Sequence, residues 1–185
     1  MAWIRSSSKK SIIIRAALAN VRAFLLRIEE CGRLMPGVVQ LSEVAPGIYH
    51  YRLAEVSDGV VRFRPDYEAL FDTSDPGEIR WEPHGEHNFR SWGVFRTEPG
   101  PVDEEVLLEI AVRAEASVGV NPIMVPVIEP FARETSARIT EEFVRNIKRR
   151  LEGDVAIEGQ DSMQDRSHDI PGSVSAGHAG KSAAR

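Results

Sequence analysis

The chain is poor in several things at once, and each shortage excludes a class of protein. A single cysteine, Cys31, stands among 185 residues. No internal disulfide can form, and the expectation is a reducing, cytoplasmic setting. No segment reaches the roughly 18 consecutive apolar residues of a membrane-spanning helix. Met1 to Lys10 lacks the apolar stretch and small-residue cleavage site of a secretory signal. Basic residues are not in excess: 23 Lys and Arg face 28 Asp and Glu, a net charge of −5. That balance argues against broad nucleic-acid binding, which needs cations to displace counterions. There is no glycine-rich phosphate loop, no G-x-S-x-G elbow and no dinucleotide fingerprint.

Aromatic residues make up only 7% of the chain, and none lies beyond Phe143. Leucine also stops, at Leu151, and Gly, Ser, Ala, Asp and His accumulate from Gly153 onward. Such a segment buries too little apolar surface to offset an ordering cost of roughly 1–2 kcal/mol per residue. The sequence therefore divides into a folded domain over 1–152 and a disordered polar tail over 153–185. The tail carries −2 of the net charge, which leaves −3 on the domain.

What is present in the domain is a sequence of β signals framed by two helical ones. Trp3 to Ala16, with Ile12-Ile13-Ile14 inside it, reads as a strand, because β-branched residues favour the pleated backbone. Val21, Phe24, Leu25 and Ile28 follow at helical spacing, with a stop at Gly32. Strands are then expected over 38–44, 48–56, 60–73, 78–82, 89–97 and 104–116. Turn signals at Pro46-Gly47, Asp58-Gly59, Pro76-Gly77 and Pro99-Gly100 separate them. The last of these strands alternates cleanly, Val106, Leu108, Ile110, Val112 and Ala114 against Glu109, Arg113 and Glu115, which is the pattern of an antiparallel sheet wet on one face. A final helix is expected from near Pro130, with Phe131, Thr135, Ile139, Phe143, Ile147 and Leu151 in one stripe. Glu134–Arg138 and Glu141–Arg145 flank that stripe as favourable pairs four residues apart.

Strands grouped between segregated helices define an α+β protein. In that order the chain resembles the START-like, or helix-grip, superfamily of polyketide cyclases, plant allergens and lipid-transfer domains. The resemblance is carried by Ile12–Ala16 running into Ala17-Leu18-Ala19-Asn20-Val21-Arg22-Ala23-Phe24-Leu25, by Leu34-Met35-Pro36-Gly37-Val38, by Leu41 with Tyr49-His50-Tyr51, and by the helix from Phe131 to Leu151. It implies a curved antiparallel sheet of about seven strands wrapped around a long C-terminal helix, with one or two short helices after the first strand. It also implies an apolar cavity between sheet and helix that takes a hydrophobic small molecule such as a lipid, quinone or polyketide-like compound. Carriage, a cyclase or dehydratase reaction, and a non-catalytic role as a protein-interaction module are the three alternatives, so a protein partner is one of the options. The fold does not choose among them, and no catalytic residue is identified.

With the apolar faces turned inward, the expected cavity wall is Tyr49, Tyr51, Tyr67, Trp81, Phe89, Ile110 and Val112, joined by Phe131, Ile139 and Phe143 from the helix. The same residues serve equally to fill a solid core. Trp92 has the opposite parity from Phe89. His84, Glu86 and His87 are metal-ligand types, but a turn between strands lacks the helical spacing of a zinc site and no second cluster completes a shell, so neither metal nor cofactor is expected. Asp66, Glu68, Glu109 and Arg113 read as a solvated sheet face, with Arg62, Arg64, Arg80 and Arg90 available for cross-strand pairs or, for one of them, an anionic ligand group. Cys31 reads as a small buried residue, since no histidine base accompanies it.

Overall fold

In the computed structural model, which describes residues 1–57 and 62–164, strand β1 (Ala2–Arg15) leads into two short helices, α1 (Leu18–Leu25) and α2 (Ile28–Gly32). The stripe Val21, Phe24, Leu25, Ile28 spans both. A break at Leu26-Arg27 leaves the phase of the buried side chains intact, so periodicity cannot reveal it. Strands β2 (Val38–Ala45) and β3 (Ile48–Leu53) follow, joined through Gly47, whose φ of 74° suits a residue without a Cβ. Two short strands, β4 (Val56–Ser57) and β5 (Arg62–Phe63), pair with each other apart from the main sheet, and the turn expected at Asp58-Gly59 lies outside the described residues. Pro65 then interrupts the strand expected over 60–73, and β6 (Asp66–Asp72) begins after it. The sheet is completed by β7 (Glu78–His84), β8 (Phe89–Pro99) and β9 (Glu105–Val118).

Seven strands form one antiparallel sheet in the order β1-β9-β8-β7-β6-β3-β2. The long helix α3 (Val125–Gln164) starts five residues before Pro130, after a 3₁₀ turn over Pro122–Met124. The start signal is Asn121, whose side chain accepts the Ile123 N–H at 3.1 Å, with Pro122 in the first position. Pro130 therefore sits inside the helix, on an exposed side, where its missing N–H leaves only the Pro126 carbonyl without a helical donor. α3 runs past Leu151 to Gln164, through the boundary expected at 152/153; residues 165–185 of the tail lie outside the described residues.

The outer edges of the sheet are met by side chains from the helices. At β1, Lys148 donates to the Ile13 carbonyl at 2.6 Å and Glu152 accepts the Arg15 N–H at 2.9 Å. At β2, Glu29 accepts the Glu43 N–H at 3.0 Å and Arg33 donates to the Leu41 carbonyl at 3.4 Å. On the convex face Lys9, Glu109, Arg96 and Glu78 form a chain of ion pairs across strands, at 2.8, 3.1 and 2.7 Å, and Arg80 closes on Glu78.

The inward face is uneven along its length, and this positions the site. At one end Ile14 pairs with Val106 and Ile12 with Leu108; Phe24, Leu25 and Ile147 pack against them with almost no exposed surface. Further along the same two strands Ser8 pairs with Val112 and Ser6 with Ala114. On β8 the corresponding inward residues are Gly93 and Ser91. Large side chains give way to small ones on three adjacent strands, and the layer between sheet and α3 opens into a void.

Candidate functional site

That void is a cavity of about 260 Å³. Its wall is drawn from the sheet's concave face, from α2, and from one side of the N-terminal half of α3. The exposed residues among its lining, Phe131 at 56% and Val56 at 45%, mark the mouth between the start of α3 and the β4–β5 ribbon.

Nine of the ten residues expected on the wall line the cavity: Tyr51, Tyr67, Trp81, Phe89, Ile110, Val112, Phe131, Ile139 and Phe143. Tyr49 does not. Its ring meets Phe71 edge-on at 5.4 Å, and Phe71 lines the cavity in its place. The Tyr49 phenol instead lies beside Glu43, and burial followed by the Glu43 charge holds its pKa above the usual value. The stripe on α3 also divides: Phe131, Thr135, Ile139 and Phe143 line the cavity, whereas Ile147 and Leu151 belong to the solid core. Phe71 and Phe95 share strand parity with Tyr67 and Phe89, so strict alternation extends to them. Ser6, Ser91, Thr135 and Thr140 also line the wall. No hydrophobic signal announces residues of that kind.

The aromatic side chains are ordered by contact with one another. Tyr51 and Tyr67 are register partners on β3 and β6, and their rings stack 5.1 Å apart with planes 9° from parallel. Tyr67 also meets Phe89 at 4.9 Å, and Trp81 bridges Phe71 at 5.8 Å and Phe95 at 5.4 Å. Trp81 lies flat over its register partner Gly93, where a Cβ would overlap the indole; the glycine is what lets the ring down onto the sheet. The indole N–H donates to Ser91 Oγ at 3.0 Å. Thr140 is satisfied twice, donating to the Ser136 carbonyl at 2.8 Å and meeting Ser8 Oγ at 2.6 Å.

Among the described residues, no Asp, Glu, Lys, Arg or His lines the cavity. The groups there that can ionise are held neutral. Burial pushes the Cys31 thiol up to about 12, helped by the charge of Glu30. Burial also raises Tyr67, and raises Tyr51 well above the ordinary phenol value, with Tyr67 and Cys31 adding to the effect. The charged residues considered in the sequence lie elsewhere. Asp66 meets His50 Nε2 at 2.7 Å, and that bond holds its carboxyl below the usual range. Glu68 lies 3.9 Å from His87, and among the described residues no cluster of His, Cys, Asp or Glu is built to hold a metal. The Arg90 guanidinium covers Trp3 at 4.5 Å, and Arg113 covers Trp92 at 4.8 Å on the face opposite Phe89.

The architecture is the START-like helix-grip fold, an α+β sheet closed by its C-terminal helix. Among solved structures it is similar to a protein of Thermus thermophilus, 18% identical at a TM-score of 0.61 over 78% of this chain and 96% of that one. It is similar to a START superfamily protein of Mycobacterium smegmatis, 15% identical at a TM-score of 0.57 over 80% of this chain and 97% of that one. The di-domain aromatase/cyclase StfQ of the steffimycin biosynthetic pathway is 12% identical at a TM-score of 0.57, over 83% of this chain and 52% of StfQ. No protein-family model and no curated protein sequence matches the chain. No described helix is long and apolar enough to cross a membrane.

Proposed function

We propose that this protein binds a hydrophobic small molecule in the cavity between the sheet and α3, as a carrier or sequestering protein. The observation that supports this most directly is the size of the cavity together with its uncharged wall. Left dry and empty, 260 Å³ would cost on the order of 6 kcal/mol, at the ~24 cal/mol per Å³ typical of core voids. That is comparable to the whole stability of an average domain, about 5–15 kcal/mol. An apolar occupant recovers that loss, as small-molecule pockets in general do. Lipid, quinone and polyketide-like compounds all meet the requirement of size and apolarity.

A cyclase or dehydratase reaction would ask for an acid or base in the cavity, poised near neutrality by a charged neighbour. Among the described residues no charged group shifts Tyr51 or Tyr67, and burial raises the pKa of both phenols. A recruitment role would ask for free cations in the basic stretch from Lys148 to Arg150 of α3. Lys148 holds Ile13 and Glu152, and Arg150 meets Glu30 at 3.1 Å. Binding without catalysis is the better-supported reading.

The test is native mass spectrometry of the gently purified protein, paired with titration by Nile red. A co-purifying small molecule, or saturable dye binding abolished by Ala114→Trp, is the expected result. Absence of both overturns the reading.

A further inference from the structure

The buried polar side chains on the cavity wall are of two kinds. Ser91 and Thr140 are hydrogen-bonded within the protein. The Tyr51 and Tyr67 side chains are as deeply placed, with 6% and 5% of their surface exposed, and neither hydroxyl has a partner among the described residues. Neither phenol oxygen is sealed in the protein either, because among the described residues the one sealed side-chain atom without a hydrogen bond is Glu78 Oε2. The hydroxyls therefore open into the cavity. Buried polar groups left unpaired are rare, because desolvation is costly without a compensating bond. Phenylalanine at either position would keep the stack and avoid that cost.

We propose that the Tyr51 and Tyr67 hydroxyls are the polar recognition element of the cavity, donating hydrogen bonds to the carbonyl-type oxygen of an uncharged ligand. This rests on the ligand-binding reading above and specifies the chemistry of the occupant. The two residues face each other across β3 and β6 on the same side of the sheet, with their rings stacked and nearly parallel, and both line the cavity. The Tyr51 hydroxyl reaches α2 at Gly32, where an added Cβ would lie 3.0 Å from it. The Tyr51 donor thus stands at the α2 end of the cavity, and an acceptor oxygen that it reaches belongs there. Raised pKa values keep both phenols protonated throughout the neutral range, as donors to an acceptor must be. A carboxylate is the wrong partner. With no Arg, Lys or His among the described residues of the wall, its charge would be buried without a counter-charge.

Three flat probes of similar shape separate the possibilities: fluorene, its ketone fluorenone, and fluorenecarboxylate, each titrated into the full-length protein by isothermal calorimetry. Fluorenone should bind about tenfold more tightly than fluorene, and the carboxylate more weakly than either. In the Tyr51→Phe/Tyr67→Phe double variant the ketone-to-hydrocarbon ratio should fall to about one while fluorene affinity is kept, which also reports that the cavity is intact. If the double variant no longer binds fluorene, the two single variants carry the test, each expected to lose part of the ratio. The carbonyl infrared band of bound fluorenone should sit at lower frequency in the wild type than in the variant. A ratio unchanged by the substitutions, or a carboxylate that binds as well as the ketone, overturns the assignment and leaves the cavity reading standing. No binding of any of the three overturns both.

Discussion

One sheet face is packed solid at one end and hollow at the other, with the same helix lying over both. In the solid end Leu108 has no exposed surface, and Ile14, Phe24 and Ile147 close around it. In the hollow end Ser6, Ala114 and Ser91 sit side by side on β1, β9 and β8, and Trp81, Tyr67 and Tyr51 follow on β7, β6 and β3. The difference is side-chain volume summed over three neighbouring strands, and it teaches that solid packing and open space are assigned to opposite ends of one layer. The solid end clamps α1 and the stretch of α3 around Ile147 and Leu151, while α2 also borders the hollow end, which is free to be selected for shape.

Substitutions that respect or violate that division should behave accordingly. The largest effect on stability belongs to the solid end. Phe24→Ala or Leu108→Ala should cost about 2–5 kcal/mol, read as a fall in denaturant midpoint, with ligand affinity per folded molecule little changed. Next, Ala114→Trp should fill the hollow end and abolish dye binding, at a cost of no more than about 1–3 kcal/mol in stability. A loss of binding from Phe24→Ala that equals that from Ala114→Trp would break the comparison. Gly93→Ala should be intermediate, about 1–3 kcal/mol, because the Cβ displaces the Trp81 indole and strips its bond to Ser91. The signature is a shift of tryptophan emission as well as of stability.

The smallest effect is that of pH, and it separates the charged convex face from the cavity. Hydrogen bonds from Arg96 and Lys9 hold Glu78 and Glu109, respectively, below the usual value of 4.5. Their folded values are depressed, so the stability they contribute is present above the unfolded value and is lost as pH falls through the folded one. Melting temperature should decline on acidification below about 4.5, and Arg96→Gln should flatten that decline. Affinity for a neutral ligand should instead stay level from about pH 5 to 9, since Cys31, Tyr51 and Tyr67 are all shifted upward, away from that window. A step in affinity within that window would mean a titrating group reaches the ligand.

Much of this was legible in the residues. Alternation on β9 located the inward face, and the order of elements identified the helix that covers it. Parity alone put Phe89 and Trp92 on opposite sides. Three things were hidden, each for a physical reason. The break between α1 and α2 preserves helical phase, so the stripe through Val21 and Ile28 reads as continuous. The start of α3 follows a 3₁₀ turn capped by Asn121, and Pro130 is carried inside the helix instead of beginning it. The hollow itself follows from Ser6, Ser91 and Ala114 meeting in register, and register between distant strands is not written in any one of them. Tyr49 was drawn onto the wall by its parity with Tyr51, when the ring of Phe71 in fact stands there.

The bonds along the two outer strands have a consequence for life at high concentration. A sheet that is not closed into a barrel offers its first and last strands as templates on which another molecule can add. Here Lys148 and Glu152 occupy backbone groups of β1, and Glu29 and Arg33 occupy those of β2, so an incoming strand must first displace a charged side chain. The helices that frame the cavity thus act at the same time as bumpers, keeping neighbouring copies from zipping onto the sheet whose curvature the cavity needs.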